Sequence, residues 1–126
     1  MGYTHYIKMT LKVNVMQYRD ALLDCLNICG ISGICNIDIA EDGIYVNPKS
    51  CDAETMFLGW EPQRFLCCKT GGNANKYDAV VTACYARMSY LNDVTISSDG
   101  RPEDWSEGEK LASHILGRKI KAQWEE

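Results

Sequence analysis

What this chain has little of narrows it first. It carries two histidines, His5 and His114, so classical zinc hydrolysis and most Cys–His or Ser–His arrangements have few parts to draw on. None of its seven cysteines stands in a C-x-x-C pair, which leaves a zinc site without its usual spacing. No apolar run approaches the ~20 residues that span a bilayer, so no membrane partner is expected. Thirteen Lys and Arg face seventeen Asp and Glu, a net charge of −4. A protein that grips nucleic-acid backbone usually shows a basic stripe, and nucleic acid is therefore not an expected partner. The one dense basic stretch, GRKIK at 117–121, falls near the end of the last expected helix, where cations also suit the helix dipole.

Several motifs fail on inspection. DIAEDG resembles the start of a calcium loop, but Ala40 replaces a ligand and Lys49 stands where the bidentate Glu belongs. TGGNANK is rich in glycine yet lacks the spacing of a phosphate loop. The start, MGYTHYIKMTLKV, has no charged, apolar and small-residue succession of a secretory signal. Gly2 suggests myristoylation, but Tyr6 stands where that pattern needs Ser or Thr. Neither a cofactor nor a metal is implied, and a cytosolic setting is expected. There the cysteines stay reduced, and most read as small buried hydrophobes.

What is present reads as one α+β domain over residues 1–126, with 46% hydrophobic and 24% charged residues, ordinary for a globular chain. Alternation of Ile7, Met9 and Leu11 with Lys8, Thr10 and Lys12 marks a first strand from Tyr3 to about Val13. Asn14 caps the helix that follows, and Gln17 completes a capping-box spacing. Val15, Tyr18, Leu22, Cys25, Leu26 and Cys29 form its apolar face, and Gly30 is the expected stop. ICNIDIAEDGIYVN reads as a hairpin turning at Asp42-Gly43. ETMFLGW and RFLCCKT read as two more strands joined around Glu61 and Pro62. A second helix runs from Lys76 to about Leu91, capped by Asn75, with Val80, Val81, Cys84, Tyr85 and Met88 as its buried stripe. A short strand, Val94 to Ser97, leads to a third helix starting at Pro102. On that helix His114 reads as an exposed or half-buried packing residue. The sum is a mainly antiparallel sheet of about four to six strands with three helices packed against it.

The stretches CCKTGGNANKYDAVVTACYARM and SSDGRPEDWSEGEKLASHILGR, with the opening MGYTHY, resemble a family of small proteins of bacteriophages, prophages and some bacteria. Its members begin MGYTHY, carry a later CKT…YD.VV segment and end SSDG…DW…G..L…LGR. DAETMF matches an acidic-ETF-like stretch between them. A Trp commonly follows MGYTHY in the family, where this chain has Ile7, and the segment from Asn14 to Gly43 tells little. The resemblance brings no established activity. It implies a phage-type setting, in which small single-domain proteins often act as accessory factors against the host or its defences.

The candidate site residues are Thr4, His5, Lys69, Thr70, Tyr77, Asp78, Ser97, Ser98, Asp99 and Trp105. Strand ends and helix starts gather at sheet edges, and helix N-termini offer unpaired N–H groups to anions. If the two strand-to-helix junctions lie side by side, Lys69, Thr70, Ser97 and Ser98 meet a phosphate, and Tyr77 or Trp105 stacks on a base. The plainer alternative is that Ser98 or Asp99 caps the third helix, Gly100 turns the chain, Pro102 opens the helix and Trp105 is core. Glu103 and Asp104 would suit that helix's dipole while repelling an anion at the same end.

The function expected from this is binding rather than catalysis, with no catalytic residue assigned. The partner is a nucleotide-like signal to be sequestered or a host defence protein to be blocked, in the host cytosol, with a homo-oligomer plausible. The alternatives are a nucleotide-processing enzyme using His5, Lys69 or Asp99, which would need those side chains within hydrogen-bond reach, and a structural or assembly component of a virion.

Overall fold

A computed structural model describes residues 3–10, 12–49, 52–70 and 76–124. The elements run β1 (Thr4–Met9), α1 (Val15–Ser32), β2 (Cys35–Ile39), β3 (Gly43–Pro48), β4 (Met56–Gly59), β5 (Phe65–Lys69), α2 (Lys76–Met88) and β6 (Val94–Ser98). A 3₁₀ turn, Pro102–Trp105, then leads into α3 (Ser106–Leu116). The class is α+β, and the strands divide into two antiparallel three-stranded sheets, β5-β1-β6 and β2-β3-β4. The two strands expected to meet around Glu61 and Pro62 belong to different sheets. β4 pairs with β3, whereas β5 crosses to pair with β1.

Local chemistry explains most of the boundaries. Asn14 takes an extended backbone, and its side chain accepts the Gln17 N–H at 3.0 Å, which starts α1. The helix does not stop at Gly30. It continues to Ser32 and ends at Gly33, whose φ of +74° is the left-handed stop that glycine adopts without penalty. The entry to α3 also differs from the expected cap. Neither Ser98 nor Asp99 caps it; instead the Arg101 N–H donates to Asp104 Oδ2 at 2.8 Å and the Asp104 N–H returns to Arg101 O at 2.9 Å. The Asn75 cap expected for α2 lies outside the described residues.

α2 is the centre of the molecule: ten of its thirteen residues are buried, so it is enclosed on more than the one stripe its periodicity indicates. The α1 side of this core is lined with thiols. Cys29 Sγ lies 3.7 Å from Cys84 Sγ, and Cys25 Sγ donates to Cys84 O at 3.6 Å. The sulfur separation is far beyond a bonded pair. Hydrogen bonding to Cys25 and Cys29, then burial, pushes the Cys84 thiol well up. Among the described cysteines only Cys67 is exposed.

α3 ends at Leu116 with Gly117 in the left-handed region, so the GRKIK cations lie past the helix rather than in its last turn. The tail then lies back over the fold. Ile120 and Ala122 are buried, the Ile120 N–H donates to Ser113 Oγ, the Ala122 N–H to Glu109 Oε2 and the Gln123 N–H to Ser89 Oγ. Trp124 meets Trp105 edge-on, ring centres 4.7 Å apart. Among the described residues no helix is long and apolar enough to cross a membrane.

Candidate functional site

The sheet β5-β1-β6 separates the expected site residues into two sets, because neighbouring strand residues point to opposite faces. On β1, His5, Ile7 and Met9 are buried while Thr4, Tyr6 and Lys8 look outward; on β5, Leu66 and Cys68 are buried between Phe65, Cys67 and Lys69. Lys69 and Thr70 therefore face opposite ways, and so do Ser97 and Ser98. The four do not meet at one phosphate.

The inner set is a polar chain that runs from partly exposed Ser98 into the core. His5, with no exposed surface, contacts Ser98 Oγ through Nδ1 at 2.8 Å and Asp78 Oδ1 through Nε2 at 2.7 Å. Thr70 donates its hydroxyl to the same Asp78 oxygen at 2.6 Å, and the Gly100 N–H donates to Ser98 Oγ at 3.0 Å. One assignment of protons satisfies every group. Gly100 N–H donates to Ser98, Ser98 O–H to His5 Nδ1, and His5 Nε2–H to the Asp78 carboxylate. Trp105 closes the chain, its ring edge-on to His5 with centres 5.1 Å apart. His5 of THY, Thr70 of CKT, Asp78 of YD, Ser98 and Gly100 of SSDG and Trp105 of DW, scattered through the sequence, converge here.

Neither expected stacking aromatic offers a free face. Trp105 is fully buried. Tyr77 is 1% exposed, and its hydroxyl donates to Val46 O at 3.0 Å and Glu54 O at 2.8 Å. Burial raises this phenol, and it pushes the neighbouring Cys68 thiol up to about 12, so both remain protonated in the core.

Ser98 is the one partly exposed member of the Ser98–His5–Asp78 chain. The order of groups is that of an activated nucleophile, its base and the residue that orients the base. The residues lining the clefts described here include none of the three. The arrangement is placed to hold β1, β6 and α2 in register. Among the described residues no group of three His, Cys, Asp or Glu side chains is placed to hold a metal ion.

The outer set is open. Cross-strand register turns it into a three-by-three grid: Lys69, Thr4 and Asp99 in one row, Cys67, Tyr6 and Ser97 in the next, Phe65, Lys8 and Thr95 in the third. Tyr6 sits at its centre, its ring 5.9 Å from that of Phe65, which is 50% exposed. Lys8 and Lys69 flank the aromatics, and Arg64 adjoins Phe65 at the edge. Among the described residues none of these three cations has an ion-pair partner. The acids on this face are Asp99, whose Oδ1 accepts from the Tyr6 hydroxyl at 3.4 Å, and Asp93 at the opposite end. Glu54, beside the Lys69 row, binds the Lys69 N–H.

A cleft of about 460 Å³ continues from this face at the Phe65 row, lined by Lys8, Met9, Thr10, Arg64, Phe65, Asp93 and Thr95. A separate apolar groove of about 360 Å³ lies between α1 and the second sheet, lined by Arg19, Leu22, Leu23, Leu26, Ile44 and Trp60. Tyr6, Lys8, Arg64, Phe65 and Thr95 were not among the candidates drawn from the sequence. The signal for the β1 pair was present in the strict alternation that puts Tyr6 and Lys8 on the face of Thr4. No family model, curated protein or solved structure matches the chain.

Proposed function

We propose that the chain is a small accessory binding protein whose ligand is a nucleotide-like molecule held on the outer face of β5-β1-β6. One observation carries this reading: the outward face of a three-stranded sheet presents Tyr6 and Phe65 side by side, flanked by lysines without an ion-pair partner among the described residues and by the hydroxyls of Thr4, Thr95 and Ser97. Aromatic faces accept any base, and cations with hydroxyls suit a phosphate. These positive groups cluster although the whole chain is acidic, at −4. In the phage-type setting that the sequence resemblance implies, such a protein would sequester a nucleotide signal in the host cytosol and so blunt a defence.

Native mass spectrometry of gently purified protein, before and after addition of nucleoside phosphates, tests the reading. A retained nucleotide mass is expected, and Phe65→Ala or Tyr6→Ala should weaken binding by roughly 5- to 150-fold, the value of about 1–3 kcal/mol per stacked base. A clean unliganded spectrum under every condition would end it.

The Ser98–His5–Asp78 chain favours a second reading, a serine-dependent enzyme. The binding reading expects no adduct on Ser98 after exposure to a fluorophosphonate probe, read by peptide mapping. An adduct on Ser98 that disappears in His5→Ala would transfer the function to this chain of groups.

A further inference from the structure

The cleft at the Phe65 row has a chemistry more specific than the face it continues. It lies where β1 ends, β5 begins and β6 begins. The Met9 N–H bonded to Arg64 O at 2.9 Å and the Thr10 N–H bonded to Asp93 O at 3.2 Å tie its walls together. Lys8 and Arg64 bring two exposed cations to it, Thr10 and Thr95 two hydroxyls, Phe65 an open aromatic ring and Asp93 a single carboxylate. Its volume of about 460 Å³ lies within the range of small-ligand sites, about 300–1,000 Å³.

These groups cannot all serve one end of a ligand. A phosphate set against Asp93 would be repelled, so the anion belongs with Lys8 and Arg64, and Arg64 brings the planar fork that fits phosphate oxygens. A carboxylate accepts hydrogen bonds and donates none, so Asp93 suits a donor group, and a neighbouring pair of hydroxyls fits its two oxygens. A ribose supplies such a pair, and a deoxyribose does not. Phe65, shared between cleft and open face, is then left for the base, with Tyr6 extending the platform.

Resting on the outer-face reading, we propose that this cleft is a ribonucleoside-phosphate site: base over Phe65 and Tyr6, ribose hydroxyls on Asp93, phosphate on Arg64 and Lys8. The occupant is a mononucleotide-sized ribonucleotide, selected over its 2′-deoxy form by one acid and over the bare nucleoside by two cations.

Isothermal titration at fixed ionic strength with AMP, dAMP and adenosine, repeated with GMP, dGMP and guanosine, tests it on the full chain. The ribonucleotide should bind at least about tenfold more tightly than its deoxy counterpart, the worth of one charge-assisted hydrogen bond. Asp93→Gly suits the positive φ of 63° at this position and should bring that ratio close to one without unfolding the chain. Arg64→Ala should weaken AMP by about tenfold or more while leaving adenosine unchanged. Equal binding of AMP and dAMP overturns the ribose assignment. Binding that ignores Arg64→Ala but is lost in Lys69→Ala overturns the placement in this cleft while leaving the outer-face reading intact. No binding of any nucleotide overturns both.

Discussion

Replacing Asp78 by alanine is expected to cost the fold about 2–5 kcal/mol, the penalty of leaving two buried donors without their acceptor. Asp78 and His5 are 2% and 0% exposed, so water cannot stand in for the carboxylate. Two donors lose their acceptor together, His5 Nε2–H and the Thr70 hydroxyl. Asp78→Asn keeps an oxygen at that point and should cost less, about 1–2 kcal/mol. The comparison is clean because both variants lose the acidic group from the first turn of α2, so any helix-dipole contribution cancels. Urea unfolding of the two variants measures it. If Ala and Asn prove equally mild, the chain from Ser98 to Thr70 contributes nothing to stability, and a purely functional role for it gains ground. A double variant, His5→Ala with Asp78→Ala, should lose clearly less than the sum of the two single losses.

The second large effect is expected at Gly108, where α3 crosses α2. A Cβ there would lie 2.0 Å from Thr82 Oγ1, 2.8 Å from Ala83 N and 2.9 Å from Ala79 O. The last two are backbone atoms of α2 and cannot swing aside. The Thr82 hydroxyl is itself tied back, donating to Asp78 O at 2.9 Å. Gly108→Ala therefore forces the helices apart, at about 2–3 kcal/mol, toward the upper end for overpacked sites. In an open helix the same change would be favourable by up to about 1 kcal/mol, so even the sign of the result is informative. Thermal melts of Gly108→Ala, alone and with Thr82→Ala, separate the causes. The second change should recover only part of the loss, because the backbone contacts remain. Full recovery would mean that the side chain alone sets the helix spacing.

The parts of the fold legible in the sequence are those set by near neighbours. Asn14 caps α1 because Gln17 is three residues away, the Asp42-Gly43 pair lies where its hairpin turns, and the stripe from Val80 to Met88 is buried as its spacing indicates. The helix stop was misplaced because glycine is only permissive: exposed Gly30 carries no left-handed backbone, and the chain turns where Gly33 does. The partner of β5 was not legible at all. The alternation in RFLCCKT is the same whether the strand pairs with β4 or with β1, and only the assembled core chooses.

The candidate site was half legible for the same reason. His5, Thr70, Asp78, Ser98 and Trp105 come together, but as a chain running into the interior rather than an open pocket. Thr4, Lys69, Ser97 and Asp99 lie on the other face, beside Tyr6. The strand rule alone separates Lys69 from Thr70 and Ser97 from Ser98. What it cannot supply is Phe65 and Arg64, which reach Tyr6 and Lys8 only through a pairing across more than fifty positions of chain.

The position of β1 also sets an order of assembly. The strand at the middle of its sheet precedes both of its partners in the chain, which begin at Phe65 and Val94. The His5–Asp78 and His5–Ser98 contacts close loops of 73 and 93 residues. Helix α1 and the meander β2-β3-β4 are complete by Gly59 and need only short closures. During synthesis that middle portion can gather while β1 waits, unpaired on both edges, for strands not yet made. Loop closures of that length are slow to reward their entropy. The face with Tyr6 at its centre is thus late to exist: a newborn chain acquires it only when β6 docks.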